Sequence, residues 1–304
     1  MGGWHKALDA AGISDVTLRG DYTAQRELVT RFRRELYLAA RLLLPPALLP
    51  DVVVAIGYMH HTDGLLDRGP KDDRARRYRQ WEAAVRAGLS DGSSDDPLIR
   101  ALSHSVTRRP ALRERVETHL ATATTDLEFT GFDTEADYQG YLAAYSLPSF
   151  MLVAGLLEPD GGSREFELGC RTYIDGAQRL DFVNDLAEDL ADGRLMLSAQ
   201  ALRRFGVDRD ELEAGEVSAG VRRLLSEQLA LAREQLARAR VLVELAAPDG
   251  RHLVRALIGL DLLTLRAAAL RGGALLRGPA HPPRPEAVAL LTREWVRARH
   301  SFRR

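Results

Sequence analysis

Gln178-Arg179-Leu180-Asp181-Phe182-Val183-Asn184-Asp185-Leu186-Ala187-Glu188-Asp189 places Asp181, Asp185, Glu188 and Asp189 at i, i+4, i+7 and i+8. On an α-helix those positions share one face, while Leu180, Phe182, Val183 and Leu186 make the rest of the turn apolar. Like charges one turn apart repel, and burying them unpaired is costly. Two readings fit such a stripe. The acids simply face water, or hard cations cancel their charge. Mg²⁺ suits the second reading because it takes few protein carboxylates, keeps its waters and bridges to phosphate oxygens. An upstream segment, Tyr58-Met59-His60-His61-Thr62-Asp63-Gly64-Leu65-Leu66-Asp67, carries a second pair of carboxylates four apart. Two such faces opposed across a helical bundle would hold several Mg²⁺ ions around a diphosphate.

Outward from these strings the helical period continues. Apolar residues recur every three or four positions through 26–44, 51–67, 75–88, 110–125, 136–157, 164–190, 219–247 and 252–271. No segment alternates with a period of two, so strands are not expected. Pro45-Pro46, Gly69-Pro70, Asp91-Gly92-Ser93-Ser94, Pro159-Asp160-Gly161-Gly162 and Pro282-Pro283 mark breaks, none long enough for a domain linker. The expectation is one all-α domain over 1–304, a single-domain helical bundle of roughly ten to twelve helices. From Arg222 to Arg240, arginine and glutamate alternate around Leu224, Leu225, Leu229, Leu231 and Leu236, the pattern of a solvated face with an apolar stripe. The last helix, 285–298, is amphipathic and could pack on its own chain or form a homodimer.

Composition limits the chemistry. The 304 residues are 45% hydrophobic and 28% charged, which is globular, and large enough for an extensive core without disulfides. Forty-two basic and 43 acidic side chains leave a formal charge of −1, so no general field draws nucleic acid or an anionic membrane. Lys6 and Lys71 are the only lysines, which nearly excludes lysine-nucleophile chemistry. Cys170 is the only cysteine. It allows no internal disulfide or cysteine-based zinc site and reads as a small buried hydrophobe. The apolar stretch 145–157 is too short to span a bilayer, no secretory signal opens the chain, and a cytoplasmic location without a transmembrane segment is expected. No phosphate-loop or dinucleotide string occurs.

The strings together resemble the squalene/phytoene synthase family of class I isoprenoid enzymes. Asp63-x-x-x-Asp67 and Asp181-x-x-x-Asp185-x-x-Glu188-Asp189 with the trailing Gly193-Arg194 carry most of the likeness. Leu36 to Pro45 is similar to the family's first active-site helix, and Asp126-Leu127 with Phe132-Asp133-Thr134 and Tyr141 to its central segment. Leu195-Met196-Leu197 and Leu202-x-x-Phe205-Gly206-Val207 follow the second acid string as in the family. The likeness covers about 20–275.

The resemblance implies a class I isoprenoid synthase-like bundle with a deep central cavity, and a Mg²⁺-dependent prenyltransferase whose substrate is an allylic prenyl diphosphate. Asp63, Asp67, Asp181 and Asp185 match the metal-binding positions, with Asp189 a further candidate. Arg194 would contact the diphosphate or pair with Glu188, and Asn184 and Arg41 are the other diphosphate candidates. Cleaving a C–O bond to an allylic cation leaves charges that metals and arginine must stabilise. The cation itself needs an apolar, largely dry pocket.

Several positions depart from the family's pattern. Gly64 stands for the second Asp of the first acid string and His60 for the arginine before it. Glu35-Leu36 replaces Ser-Phe, Tyr145-Ser146-Leu147 replaces Val-Ala-Gly, Asp181 replaces asparagine and Asn184 replaces arginine. These changes remove cationic and small groups, so a second long prenyl diphosphate would meet less charge and less room. The expectation is transfer to a small aromatic acceptor of the indole or carbazole type, as in some actinobacterial proteins resembling this family. The alternatives are head-to-head joining of two prenyl diphosphates into a squalene- or phytoene-like hydrocarbon, a terpene cyclase on the same scaffold, and a catalytically dead helical binding protein. Tyr58, His60, His61, Glu35 and Tyr145 are candidates to line the acceptor slot or remove a proton. Equally, the histidines could hydrogen-bond a carboxylate, the tyrosines could be core residues, and Glu35 a surface acid.

Overall fold

The computed structural model describes residues 2–67 and 69–302, and among these there is helix but no strand. In chain order the α-helices are α1 Gly2–Ala10, α2 Val16–Phe32, α3 Arg34–Leu43, α4 Leu49–Asp67, α5 Lys71–Asp91 and α6 Pro97–Arg108. There follow α7 Ala111–Thr122, α8 Glu135–Tyr141, α9 Leu147–Ala154, α10 Arg164–Asn184, α11 Leu186–Ala191 and α12 Ala199–Phe205. The last are α13 Arg209–Glu213, α14 Ala219–Arg238, α15 Leu242–Leu245, α16 Arg251–Arg271 and α17 Arg284–Ser301. The all-α expectation holds, with more and shorter helices than the periodicity suggests.

Three breaks account for most of that difference. The expected helix over 26–44 is interrupted at Arg33, whose backbone (φ −137°, ψ 49°) separates α2 from α3. The expected helix over 164–190 breaks at Asp185 (φ −96°, ψ 8°), so α10 and α11 diverge there. Between α8 and α9, Leu142–Ser146 forms a wide π-turn. Pro148 explains that turn: it has no N–H for the carbonyl one turn back, and a widened turn accommodates the gap.

α10 is the central helix. It packs along α14 and touches α9, α15 and α16. Gly176 allows the closest approach, since a Cβ there would lie 2.8 Å from the Leu236 backbone nitrogen of α14. The α14 stripe seen in the sequence supplies the facing core through Leu224, Leu225, Leu229 and Leu236, all buried. α4 is the opposite wall, with its Val52–Ile56 run wholly buried among α2, α5, α6 and α9. Cys170 is buried, as its apolar neighbours suggest. The run Glu135–Leu157 is one helix of 23 residues with mean hydropathy 1.5, long and apolar enough to cross a membrane by those measures. Here α9 packs against α4, α7 and α10, and 44% of its most apolar window is buried, the role of a core helix.

The amphipathic last helix lies on α16 and α3 of its own chain. Glu294, 1% exposed, pins it to α16 by accepting a hydrogen bond from Arg255 (3.0 Å), with His252 Nδ1 at 3.2 Å, while Arg297 of the same helix donates to its other oxygen (2.7 Å). Leu291 and Trp295 of α17 pack against the core, while Val288 and Val296 stay exposed.

Candidate active site

α4 and α10 carry the two acid strings on faces that look into one hollow, and Arg33 lies between them. Its guanidinium acts electrostatically on Asp63 from one side and on Asp181 and Asp185 from the other. The side chain of Arg33 makes no ion pair or hydrogen bond with any described residue. The break between α2 and α3 puts it there, because a continuous helix would carry its side chain on round the cylinder.

Asp63, on the α4 side, accepts a hydrogen bond from the Tyr145 hydroxyl at 3.2 Å. Burial pushes its carboxyl up to about 7, against the lowering effect of that bond, and Asp67 and Asp126 raise it further. Asp67, one turn on, is exposed at the rim. Tyr145 reaches Asp63 from the π-turn and its ring lies 5.3 Å from Tyr141. Tyr141 in turn donates to the buried Asp126 at 2.8 Å.

On the α10 side, Asp181 borders open space yet lies deep in the protein. That space is the hollow, and desolvation pushes its carboxyl up to about 7, with Asp261 and Asp185 adding repulsion. The break at Asp185 carries α11 off on a new axis, so Asp189 is held by the turn that follows. Its carboxyl is raised by burial to about 6, although Arg194 opposes the shift. Asp185 is raised too, first by burial and then by Glu188.

Arg194 donates from Nη2 to Asp126 Oδ1 at 3.0 Å, so its protein partner is Asp126 and not Glu188. That bond and the Tyr141 hydroxyl hold Asp126 between the two acid strings. Sequence reasoning had placed Asp126 only in a similar-looking segment, without a role.

Other expected site residues lie elsewhere. Tyr58 is fully buried, 3.3 Å from His119 Nδ1 and stacked on Trp81, so it is core. Arg41 lies against Gly3 of α1, away from the carboxylates; a Cβ on that glycine would meet its Nη2 at 3.0 Å. Glu35 is exposed, on the outward side of α3 that also carries Leu38 and Leu42. Asn184 is committed to the backbone of Ala280: its Nδ2 donates to the carbonyl (3.1 Å) and its Oδ1 accepts from the amide (2.8 Å). Of these four, only Asn184 reaches an acid of the site, through a longer 3.5 Å hydrogen bond from its Nδ2 to Asp185. His60 stays at its rim with its ring 4.6 Å from Phe32, and His61 leans on Trp81 at 4.3 Å.

Nearer the start of α10 lies an apolar crevice. α3 contributes Leu36 and Ala40, α9 Phe150 and Val153, α10 Cys170 and Tyr173, and α16 Leu253, Val254, Leu257 and Ile258. It encloses about 490 Å³ of interatomic space, little of it wide enough for water. Asp261, the sole acid of α16, stands near this crevice, accepts a 2.7 Å hydrogen bond from Tyr173 and is raised by burial to about 6. Arg33 and Asp261 are the functional candidates that sequence reasoning missed. Asp261 had a local signal, a lone acid amid Leu257, Ile258, Leu260, Leu262 and Leu263.

The donor set suits a divalent cation. Several carboxylates are held up by burial, and Arg33 and Arg194 do not compensate them all. Among the described residues no three histidine, cysteine or acidic side chains stand close enough to cage an ion alone. Mg²⁺ asks for less, one or two carboxylates per ion with water and phosphate oxygens completing the shell.

Comparison with known proteins agrees with this geometry. Residues 29–286 match the model of the squalene/phytoene synthase family. A bifunctional protein CrtB/UppS from Streptomyces coelicolor is 34% identical over 230 residues, 75% of this chain. That alignment spans only 40% of the relative's own length. Among solved structures, a dehydrosqualene synthase superposes with a TM-score of 0.80 at 18% identity, covering 93% of this chain and 98% of that one. Squalene synthase HpnC from Alicyclobacillus acidocaldarius gives 0.71 at 22% identity, over 88% and 96% of the two chains. At those identities the likeness concerns the fold alone. With the acid strings facing one hollow and the family's model matched over most of its length, the chain belongs to the squalene/phytoene synthase family.

Proposed function

We propose that the chain is a Mg²⁺-dependent prenyltransferase that joins two allylic prenyl diphosphates head to head, giving a squalene- or phytoene-like hydrocarbon. The observation that carries this reading is the neighbourhood of two features on α10 and α16: desolvated carboxylates that share the charge of Arg33, and a crevice lined by apolar side chains. Asp63, Asp67, Asp181, Asp185 and Asp189 would hold the metal, which when bound neutralises the charge of the departing diphosphate. Arg33 supplies a fixed positive charge to the same group, and Arg194 adds a second while keeping Asp126 in place. Tyr145 orients Asp63. The apolar side chains of the crevice would part to admit the aliphatic chains, and they exclude water from the cation.

An aromatic acceptor was expected from the family departures, and those residues have other work. Tyr145 is bonded to Asp63 and packed at a tilt against Tyr141, outside the apolar crevice, and Asn184 is shared between Ala280 and Asp185. What remains favours two like substrates over an indole or carbazole ring.

Purified protein with Mg²⁺ and farnesyl or geranylgeranyl diphosphate should yield a hydrocarbon of twice the donor length, with two diphosphates released per product. Product formed only when indole or carbazole is added would replace this reading with aromatic transfer. One diphosphate per cyclic hydrocarbon would mean a cyclase.

Arg33→Gln should raise KM for the prenyl diphosphate by roughly tenfold or more, the loss of one charge-assisted contact. An unchanged KM would remove Arg33 from the diphosphate site.

A further inference from the structure

α10 and α16 both run from the apolar end of the crevice towards the acid pole. On α10 the lining residues Cys170 and Tyr173 are followed by Asp181, eight residues or about 12 Å beyond Tyr173 at 1.5 Å per residue. On α16 the lining residues Leu257 and Ile258 are followed by Asp261, one turn on along the same face. The 2.7 Å bond from the Tyr173 hydroxyl to Asp261 Oδ2 ties the two helices together at that level. Asp261 is also the strongest charged influence on Asp181. It therefore stands between the metal pole and the hydrocarbon crevice, where the first carbons of a prenyl chain lie once its diphosphate is held by α4 and α10. Its only hydrogen-bond partner among the described residues is Tyr173, and no cation neutralises it.

We propose that Asp261 is the carboxylate that receives the proton lost when the two prenyl groups are joined, with Tyr173 as its positioning residue. The inference rests on the proposed head-to-head reaction. The donor's C–O bond breaks and its electron pair leaves with the diphosphate. The acceptor's double bond supplies the pair for the new carbon–carbon bond, which leaves a positive carbon on the acceptor. A C–H bond on the newly joined donor carbon then breaks, its electron pair closes a three-membered ring onto the positive carbon, and the proton passes to an Asp261 oxygen. The acceptor's own C–O bond breaks next, its electron pair leaves with the second diphosphate, and a second proton is lost as the ring opens to the hydrocarbon. Tyr173 donates to the other side of the carboxylate and sets the direction in which the free oxygen points. The departing diphosphate is the competing base, but the carboxylates and arginine of the metal pole would engage its oxygens, whereas Asp261 stands on the crevice side of that pole with no cation on it.

The test compares wild type, Asp261→Asn and Tyr173→Phe, with Mg²⁺ and farnesyl diphosphate, reading hydrocarbon, prenyl alcohol and released diphosphate separately. Asp261→Asn should lose about 100-fold or more in hydrocarbon, the size expected for a missing proton acceptor. It should keep releasing diphosphate, with the cation trapped as alcohol and KM unchanged. Tyr173→Phe should lower kcat by about tenfold without changing KM and raise the ratio of alcohol to hydrocarbon. Hydrocarbon at the wild-type rate from Asp261→Asn overturns the proposal. So does an equal loss of hydrocarbon and diphosphate release, which would make Asp261 part of the metal pole. If Asp261→Asn melts well below wild type, Tyr173→Phe decides, and an unchanged alcohol-to-hydrocarbon ratio refutes the assignment. Should wild type give product only with an aromatic acceptor, the head-to-head reading fails on its own. The same variants are then compared on that product, whose ring must also lose a proton.

Discussion

Asp63→Asn and Asp185→Asn are each expected to lower turnover by about 10³-fold, the order seen when a group that stabilises developing charge is removed. The metal-free variants should nevertheless melt higher than wild type at pH 8. Burial holds the Asp63 carboxyl at about 7 in the folded chain, whereas an unfolded aspartate ionises near pH 4. Below about pH 4 both states keep the proton and the site costs nothing. Between 4 and 7 the unfolded chain releases its proton while the folded chain retains it, so stability falls as pH rises. Above 7 the penalty is complete. Asparagine carries no such penalty, so the gap between Asp63→Asn and wild type should open with rising pH and close near pH 4. Asp185, raised in the same direction by burial and by Glu188, should behave alike. Mg²⁺ with inorganic diphosphate should raise the wild-type melting temperature at pH 8 and leave the variants nearly unmoved. Thermal melts at pH 5 and pH 8, with and without those additions, check all of this. Collapse of both variants at every pH would make these acids structural.

Gly176→Val should produce the largest loss of stability. A Cβ at this point of α10 would lie 2.8 Å from the Leu236 backbone nitrogen and 2.9 Å from Leu236 Cγ. Backbone cannot step aside as a flexible side chain can, so the two central helices must separate. A cost of about 3 kcal/mol or more follows, at the upper end for overpacked cores. For a chain of this size that corresponds to a melting temperature lower by roughly 6–12 °C. Asp181 lies five residues along the same helix, so surviving folded protein should also bind prenyl diphosphate less well. Calorimetry is the check, and a valine variant melting within about 2 °C of wild type would show that α10 and α14 can part cheaply.

The sequence makes the helical architecture and the acid strings readable because both depend on spacing within one segment. Asp63 with Asp67, and Asp181 with Asp185, announce themselves by a four-residue interval on apolar helices. Helix α6 was equally readable, since Asp96-Pro97 is a start signal and Leu98, Leu102 and Val106 mark one face, although it lies outside the segments expected to be helical. What local pattern cannot convey is which groups meet across the bundle. Arg33 lies in an arginine-rich stretch and gains its place only because the chain bends there. Asp261 becomes significant only when α16 is laid beside α10. The same limit works in reverse for Tyr58 and Asn184, which stand next to functional residues in the chain and yet are turned to His119 and Ala280. Family departures mislead for the same reason: Asn184 in place of arginine reads as a lost charge, but in space it is a clasp.

That clasp has a practical consequence for dissection of the chain. Two hydrogen bonds join Asn184, directly before the helix break at Asp185, to Ala280 in the connection between α16 and α17. A fragment ending near residue 275, short of the family match that runs to 286, would keep every acid of the two strings and lose this anchor. Truncations and fusion junctions that spare the reactive groups should therefore run past Ala280, or the turn that aims Asp185 will be free to drift.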